Sequence, residues 1–296
     1  MRFELLQPRS LPEALEMKGK YGDKAKLLAG GTDLMVLMKE RGLRTEVVLS
    51  LRGIRELDFI RSQDGRGVTL GALATHSAVA RSSIIRKNFP DLVEACAQVS
   101  CIQIQNLGTV GGNLCNASPA ADAAPPLLVL DAVLTLASTR GERRVPIHEF
   151  FLGPRQTVLM SDEILKEVFI PQTADRRGAT YLKLGKRKAM EIAIIGIGVA
   201  IHLNGSDREI TDCRIAMGSV APTPVRARQG EEILRGQEVN DELIEETAVA
   251  AAEEARPISD VRGSREYRLD MIRVLCRRAT RAALARARGN GVEGSS

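Results

Sequence analysis

The chain has 296 residues, of which 44% are hydrophobic, and 42 lysines and arginines against 37 aspartates and glutamates give a formal net charge of +5. That is enough apolar material for two or three lobes with cores of their own. The basic balance does not mark a nucleic-acid binder: the cationic residues are dispersed apart from a concentration between Arg273 and Arg288, and with no tryptophan and 3% aromatics a base-stacking platform has nothing to stand on.

No apolar run is long enough to span a bilayer. The start, Met1 to Pro8, lacks the apolar core and small-residue cleavage site of a signal peptide. Five cysteines (Cys96, Cys101, Cys115, Cys213, Cys276) are scattered, odd in number and without a C-x-x-C pair. They fit a reducing cytoplasm and argue against a zinc or iron–sulfur site, so no metal ligands are assigned.

Taken in order, Phe3 to Leu6 reads as extended, and Ser10 with Glu13 forms a capping box for the helix that follows. A strand from Lys26 to Ala29, a helix to about Arg41 and the apolar Val47-Val48-Leu49 make a small α/β unit, closed by a turn over Leu51–Leu57. A second unit begins near Phe59, with a strand at Val68–Ala72 and a helix from Asp91 to about Val99. Pro125 to Leu130 reads as a packed helix or turn, Val133–Ala137 as a strand of alternating burial, and Glu163–Pro171 as a strand that Pro171 ends. The polar stretch Gln172–Gly178 marks a boundary. Beyond it come Tyr181–Lys188, a long apolar strand from Ile192 to His202, a hairpin turn at Asn204–Asp207 and a partner strand from Ile210 to Gly218. Helices over Glu231–Leu234, Asp241–Arg256 and Glu266–Arg286 close the chain, and Gly289–Ser296 has the composition of a frayed tail.

Two stretches stand apart. Leu27-Leu28-Ala29-Gly30-Gly31-Thr32-Asp33-Leu34 places a glycine turn between a strand and a helix start, an arrangement that points backbone N–H groups and a helix dipole at a pyrophosphate. It has neither the G-x-G-x-x-G spacing of a dinucleotide fingerprint nor the Gly-Lys-Ser/Thr of a Walker loop. The second, from Thr109 through Gly111, Gly112 and Asn113 to Asp122, is rich in small residues. Its glycines let the backbone turn tightly and approach a ligand, and successive free N–H groups there would form an anion-binding nest. Asn113, Asn116, Ser118 and Asp122 can hydrogen-bond hydroxyls. The structural alternative is a tight bend between two core elements. His76 is accounted for by a hydroxyl-rich helix start, and His148 and His202 are isolated. No activated nucleophile or carboxylate pair is evident, so no catalytic residue is assigned.

The two glycine motifs, in this order, resemble the FAD-binding subunits of the molybdenum hydroxylases, over nearly the whole chain from Phe3 to about Arg281. The resemblance implies an α+β protein. An FAD-binding fold like that of the vanillyl-alcohol-oxidase group would occupy residues 1–176, as two α/β subdomains (about 1–58 and 59–176). A C-terminal domain at 177–288, a small antiparallel sheet with helices, would follow. It carries FAD contacts onto Leu28, Ala29, Gly30, Gly31, Thr32, Asp33 and Leu34 in the first motif, and onto Thr109, Gly111, Gly112, Asn113 and Asp122 in the second. Leu165 and Lys183 match positions that reach the cofactor, and Ile192 one that lies against the isoalloxazine. The carbon monoxide dehydrogenase branch has a tyrosine at that last position, and the 4-hydroxybenzoyl-CoA reductase branch has a cysteine-bearing insert that this chain lacks.

The implied role is electron transfer: FAD on this chain would take electrons from two 2Fe–2S clusters on a small partner subunit, fed by a large molybdopterin subunit, and pass them to NAD, a quinone or another acceptor. A dimer of such heterotrimers is implied, and the arginines Arg273, Arg277, Arg278, Arg281, Arg286 and Arg288 offer a face for an acidic partner, or a solvated one. Two rivals are a self-contained FAD-dependent oxidoreductase of the same fold and a non-enzymatic basic adaptor.

Overall fold

The computed structural model describes residues 2–173, 176–187 and 189–289 of the protein. Lys188 and the expected tail, apart from Gly289, lie outside the described residues.

Three lobes follow one another. In the first, β1 (Glu4–Leu6) and β2 (Ala25–Leu28) flank β3 (Val47–Ser50) in a parallel sheet, with α1 (Leu11–Tyr21) and α2 (Leu34–Glu40) making the crossovers. Val47, Val48 and Leu49 are all buried, as the central strand of a covered parallel sheet must be. Ser10 caps α1 through its Oγ, which accepts from the Glu13 N–H at 3.4 Å, but the Glu13 carboxylate takes the Arg9 N–H at 2.7 Å instead of that of Ser10. The expected capping box is thus displaced by one residue.

The second lobe is an antiparallel sheet in the order β4 (Ile60–Gln63), β5 (Gly67–Gly71), β10 (Ile164–Pro171), β6 (Val133–Ser138), β7 (Gly141–Pro146). Between β5 and β6 run six short helices: α3 (His76–Arg81), α4 (Ser83–Asn88), α5 (Pro90–Ala97), α6 (Ile102–Leu107), α7 (Val110–Cys115) and α8 (Ala124–Val129). A two-stranded ribbon, β8 (Phe151–Gly153) and β9 (Gln156–Thr157), follows β7. Strand β6 does not alternate as expected. Beyond Val133 it is buried throughout, because Leu134 and Leu136 join the main core while Ala137 joins that of the first lobe beside Leu49 and Ile164. A sheet covered on both faces loses the period-two signature.

The last lobe is an antiparallel sheet, β11 (Arg177–Leu184), β12 (Ile195–Leu203), β13 (Ile210–Gly218) and β14 (Val225–Arg226), with helices α9 (Arg228–Leu234), α10 (Asp241–Glu254) and α11 (Arg265–Ala287). Strand β12 begins three residues later than expected and leaves Ile192 outside it. Ile197, Val199 and Ile201 point into the helical core, whereas Gly198 and Ala200 face α8. Four arginines of the C-terminal helix pair with acids of this chain while staying partly exposed. Arg277 binds Glu245 at 2.6 Å, Arg281 binds Asp241 at 2.8 Å, Arg286 binds Glu94, and Arg273 lies 3.7 Å from Asp270. No described helix is long and apolar enough to cross a membrane.

A buried ion pair pins β14 to α9, and its carboxylate also holds β13. The Glu231 side chain, 1% exposed, accepts from Arg226 Nη2 at 2.8 Å and from the Ile215 N–H at 2.9 Å. Removing one member leaves an uncompensated buried charge, so Glu231→Ala should lose about 3–5 kcal/mol in urea unfolding. Glu231→Gln, which retains the acceptor for Ile215, should lose less.

Candidate functional site

A cavity of about 410 Å³ opens between the first two lobes. Its floor is the turn from β2 into α2. There Gly31 adopts a left-handed conformation (φ 80°), and the N–H groups of Gly30, Gly31, Thr32, Asp33 and Leu34 find no acceptor among the described residues. Five consecutive free donors beside an open cavity make a site for an anion. Gly30 is required for another reason: a Cβ there would lie 2.0 Å from the Leu107 carbonyl oxygen, where the loop crosses the end of α6.

The second motif differs from the expected nest. It is a helical turn, α7, capped by Thr109, whose Oγ1 accepts from the Gly112 N–H at 2.9 Å. The N–H groups of Val110 and Gly111 go to the carbonyls of Ala74 and Ala72, at 2.9 and 3.1 Å, so these donors are consumed inside the protein. A Cβ on Gly111 would come within 2.5 Å of the Ala72 oxygen. The glycine here permits a backbone crossing. What α7 offers the cavity is a wall and side chains. Asn113 Oδ1 is buried without a partner, and Asn116 Nδ2 donates to Asp33 Oδ1 at 3.1 Å, tying the two motifs together. Burial pushes the Asp33 carboxyl up, against the opposing pull of Arg155. Arg155, on the β8–β9 turn, reaches the mouth of the cavity.

The cavity therefore brings together Ala29 through Leu34, Thr109, Gly111, Gly112, Asn113 and Leu165. Four other expected residues lie outside its lining. Leu28 supports the loop from the strand below. Ile192 is exposed on the connection between β11 and β12. Asp122 and Lys183 are paired with each other at 2.8 Å, both nearly buried. Tyr181 Oη donates to the other oxygen of Asp122 at 2.7 Å, and the remaining Lys183 protons go to the carbonyls of Gln98 and Glu191 at 2.8 and 3.0 Å. Burial raises the Asp122 carboxyl, with Lys183 and Tyr181 opposing it, and raises the Tyr181 hydroxyl well above its ordinary range. The cluster ties α5, the segment after α7 and β11 into one block. Ser118 acts locally, accepting from the Ala120 N–H at 3.3 Å.

One lining residue was read from the sequence only as part of a helix start. His76 is 2% exposed, faces the cavity and leaves Nδ1 without a partner; burial lowers it to about 4. Its scarcity as a residue type was the one available signal, because the Thr75–Thr109 bridge that brings it here is a long-range contact. His148 is half-exposed beside Glu149, and His202 lies on β12 away from the cavity. Among the described residues no group of three metal-ligating side chains occurs.

The site thus combines a strip of N–H donors, a guanidinium at the mouth and an apolar wall that includes Leu27, Leu37, Leu51 and Ile104. That suits a ligand with an anionic linker and flat apolar parts. Two stability predictions follow from the geometry. Gly30→Ala should cost about 3 kcal/mol, the upper end of overpacking, and Gly31→Ala only about 1–2 kcal/mol of left-handed strain; thermal unfolding of the two variants ranks them. His76 has a folded value near 4 against an ordinary 6.5, so the unfolded chain takes up the proton first. The stability present above pH 6.5 is then lost as the pH falls from 6.5 to 4. The Tm of the wild type should drop more steeply in that window than that of His76→Asn.

Two family models cover the chain: the FAD binding domain in molybdopterin dehydrogenase over residues 1–173, and the CO dehydrogenase flavoprotein C-terminal domain over residues 180–283. The carbon monoxide dehydrogenase medium chain of Hydrogenophaga pseudoflava is 34% identical over 285 residues, covering 96% of this chain and 98% of that one. The xanthine dehydrogenase FAD-binding subunit of Escherichia coli is 33% identical over 266 residues, 90% of each chain. The solved carbon monoxide dehydrogenase from Hydrogenophaga pseudoflava, in a form lacking the Mo-pyranopterin moiety of its cofactor, superposes with a TM-score of 0.93 at 33% identity, over 97% of this chain and 98% of that one. With its donor-lined cavity matching the cofactor these models describe, this chain belongs to the FAD-binding oxidoreductase subunits of the molybdopterin dehydrogenase, or molybdenum hydroxylase, family.

Proposed function

We propose that this chain is the electron-transferring flavin subunit of a molybdenum-dependent dehydrogenase. It would work beside a small subunit with 2Fe–2S clusters and a large molybdopterin subunit, as a dimer of heterotrimers in the cytoplasm. The observation that carries the reading is the run of five unpaired N–H donors from Gly30 to Leu34, in a protein whose cavity holds no nucleophile–base pair. Bound FAD supplies the redox chemistry. The chain's own part is to bind, orient and enclose it. The Gly30–Leu34 donors and Arg155 would hold the pyrophosphate, Asn113 and Thr109 the adjoining polar groups, and Leu165 with the apolar wall the flat rings. Leu28, Asp122, Lys183 and Ile192 are outside that set, with Asp122 and Lys183 acting as the support behind it.

A dedicated electron carrier needs no group to activate a substrate C–H bond, and its partners must approach the flavin closely. An interface of about 1,600 Å² or more is expected. The relatives' designation as a medium chain, matched over 98% of its length, supports a multi-subunit setting, and five free cysteines suit a reducing compartment.

Purified protein should bind one FAD per chain. Gly31→Val and Gly112→Val should keep their far-UV circular dichroism and lose the flavin absorbance. Alone, the chain should show little turnover with aldehydes, purines or acyl thioesters. Rates on the order of 1–10³ per second would instead mark a self-contained oxidoreductase, and recovery of a colourless, flavin-free complex from the native host would overturn the reading entirely.

A further inference from the structure

Six buried side-chain polar atoms lack a partner among the described residues, and two of them, His76 Nδ1 and Asn113 Oδ1, belong to residues that line the cavity. Asn113 sits on the motif already assigned to the cofactor. His76 does not. It opens α3 from the far side of the β5 turn, and its position is set by the backbone: the His76 N–H donates to the Gly108 carbonyl at 3.0 Å, Thr75 Oγ1 caps the helix through the Ala78 N–H at 3.1 Å, and Thr75 bridges Thr109. The ring is therefore held at the seam between α3 and the start of α7. A Cβ built on Gly108 would lie 3.4 Å from His76 Cδ2 and 3.5 Å from Thr32 Oγ1, which puts the imidazole and the donor-lined loop beside the same glycine.

A buried imidazole nitrogen without a partner costs free energy that folding does not recover. Such atoms in native structures mark a missing ligand, water or ion. Here the neighbouring donors all point to one kind of ligand. We infer that His76 is a binding residue for the phosphate-bearing part of FAD, its imidazole donating a hydrogen bond to the pyrophosphate or the ribose that adjoins it. The inference rests on FAD occupying this cavity. Among the charged groups of the lining are Lys26, Asp33 and Arg155, and none of them hydrogen-bonds the imidazole. Burial keeps the ring neutral, so one nitrogen carries a proton to donate and the other is free to accept.

The experiment separates the phosphate end of the cofactor from the flavin end. FAD, ADP and riboflavin are titrated against flavin-free wild type, His76→Gln and His76→Leu. Loss of a hydrogen bond to a charged group should weaken FAD and ADP by a common factor of about tenfold or more, and leave riboflavin within about twofold. In wild type, the imidazole nitrogen resonances of His76 should move on addition of ADP, a readout that a merely structural histidine would not give and that needs no variant to fold. Variants that bind FAD and ADP as wild type does, or His76 resonances that stay in place while ADP binds, would overturn the inference. If wild type takes up neither FAD nor ADP, the cofactor assignment itself fails and His76 is not at issue.

Discussion

The cavity exists because two pairs of backbone segments cross at separations that no side chain allows. At Gly30 the first loop passes the Leu107 carbonyl with room for a hydrogen and nothing more, and at Gly111 helix α7 lies against the Ala72 carbonyl in the same way. Both crossings join segments far apart in the chain: the first brings the parallel lobe against the antiparallel one, and the second seats α7 against the end of β5 within the antiparallel lobe. Overpacking energies of a few kcal/mol are a large share of a domain's net stability. These positions therefore hold the site's shape before any ligand is considered.

The same crossings divide the labour between the motifs. Packed against β5, α7 spends its first N–H groups on Ala72 and Ala74 and turns the Thr109 hydroxyl inward to cap Gly112. The loop before α2 lies at the edge of its sheet, where no strand or helix reaches its donors, and Gly31 in its left-handed conformation turns them along one wall. One motif is scaffold with a polar side chain attached; the other presents free donors to the cavity. Asn116 and Asp33 hold the two in register across the opening.

The C-terminal lobe contributes by bracing. Its sheet turns a face of small residues, Gly198, Ala200 and Ala216, toward α8, so the two lobes share one core. Polar ties reinforce that packing: Arg286 and the Tyr181 N–H converge on Glu94, and Lys183 closes on Asp122 behind the cavity wall. A lysine whose three protons all have acceptors is a fastener. It orders the β11–β12 connection, which carries the exposed Met190 and Ile192 at the surface. The chain as a whole thus invests in a rigid cradle, which is what a cofactor carrier requires.

The small α/β unit at the start, the hairpin of the last lobe and the closing helices were legible in the sequence, because apolar periodicity and turn residues are local signals. So were both glycine motifs and, through the resemblance they carry, the family and its cofactor. Tertiary structure alone decided the rest. Whether Gly111 serves a ligand or a crossing depends on Ala72, some forty residues away, and whether β6 alternates depends on a second layer its own sequence does not encode. The intramolecular partners of the α11 arginines were equally hidden, because a run of charge says nothing about the acids folded opposite it, here Glu94, Asp241 and Glu245. His76 is the clearest case. Its burial and its unpartnered nitrogen arise where α3 meets the residues before α7, and a contact between segments distant in the chain leaves no period or spacing to read.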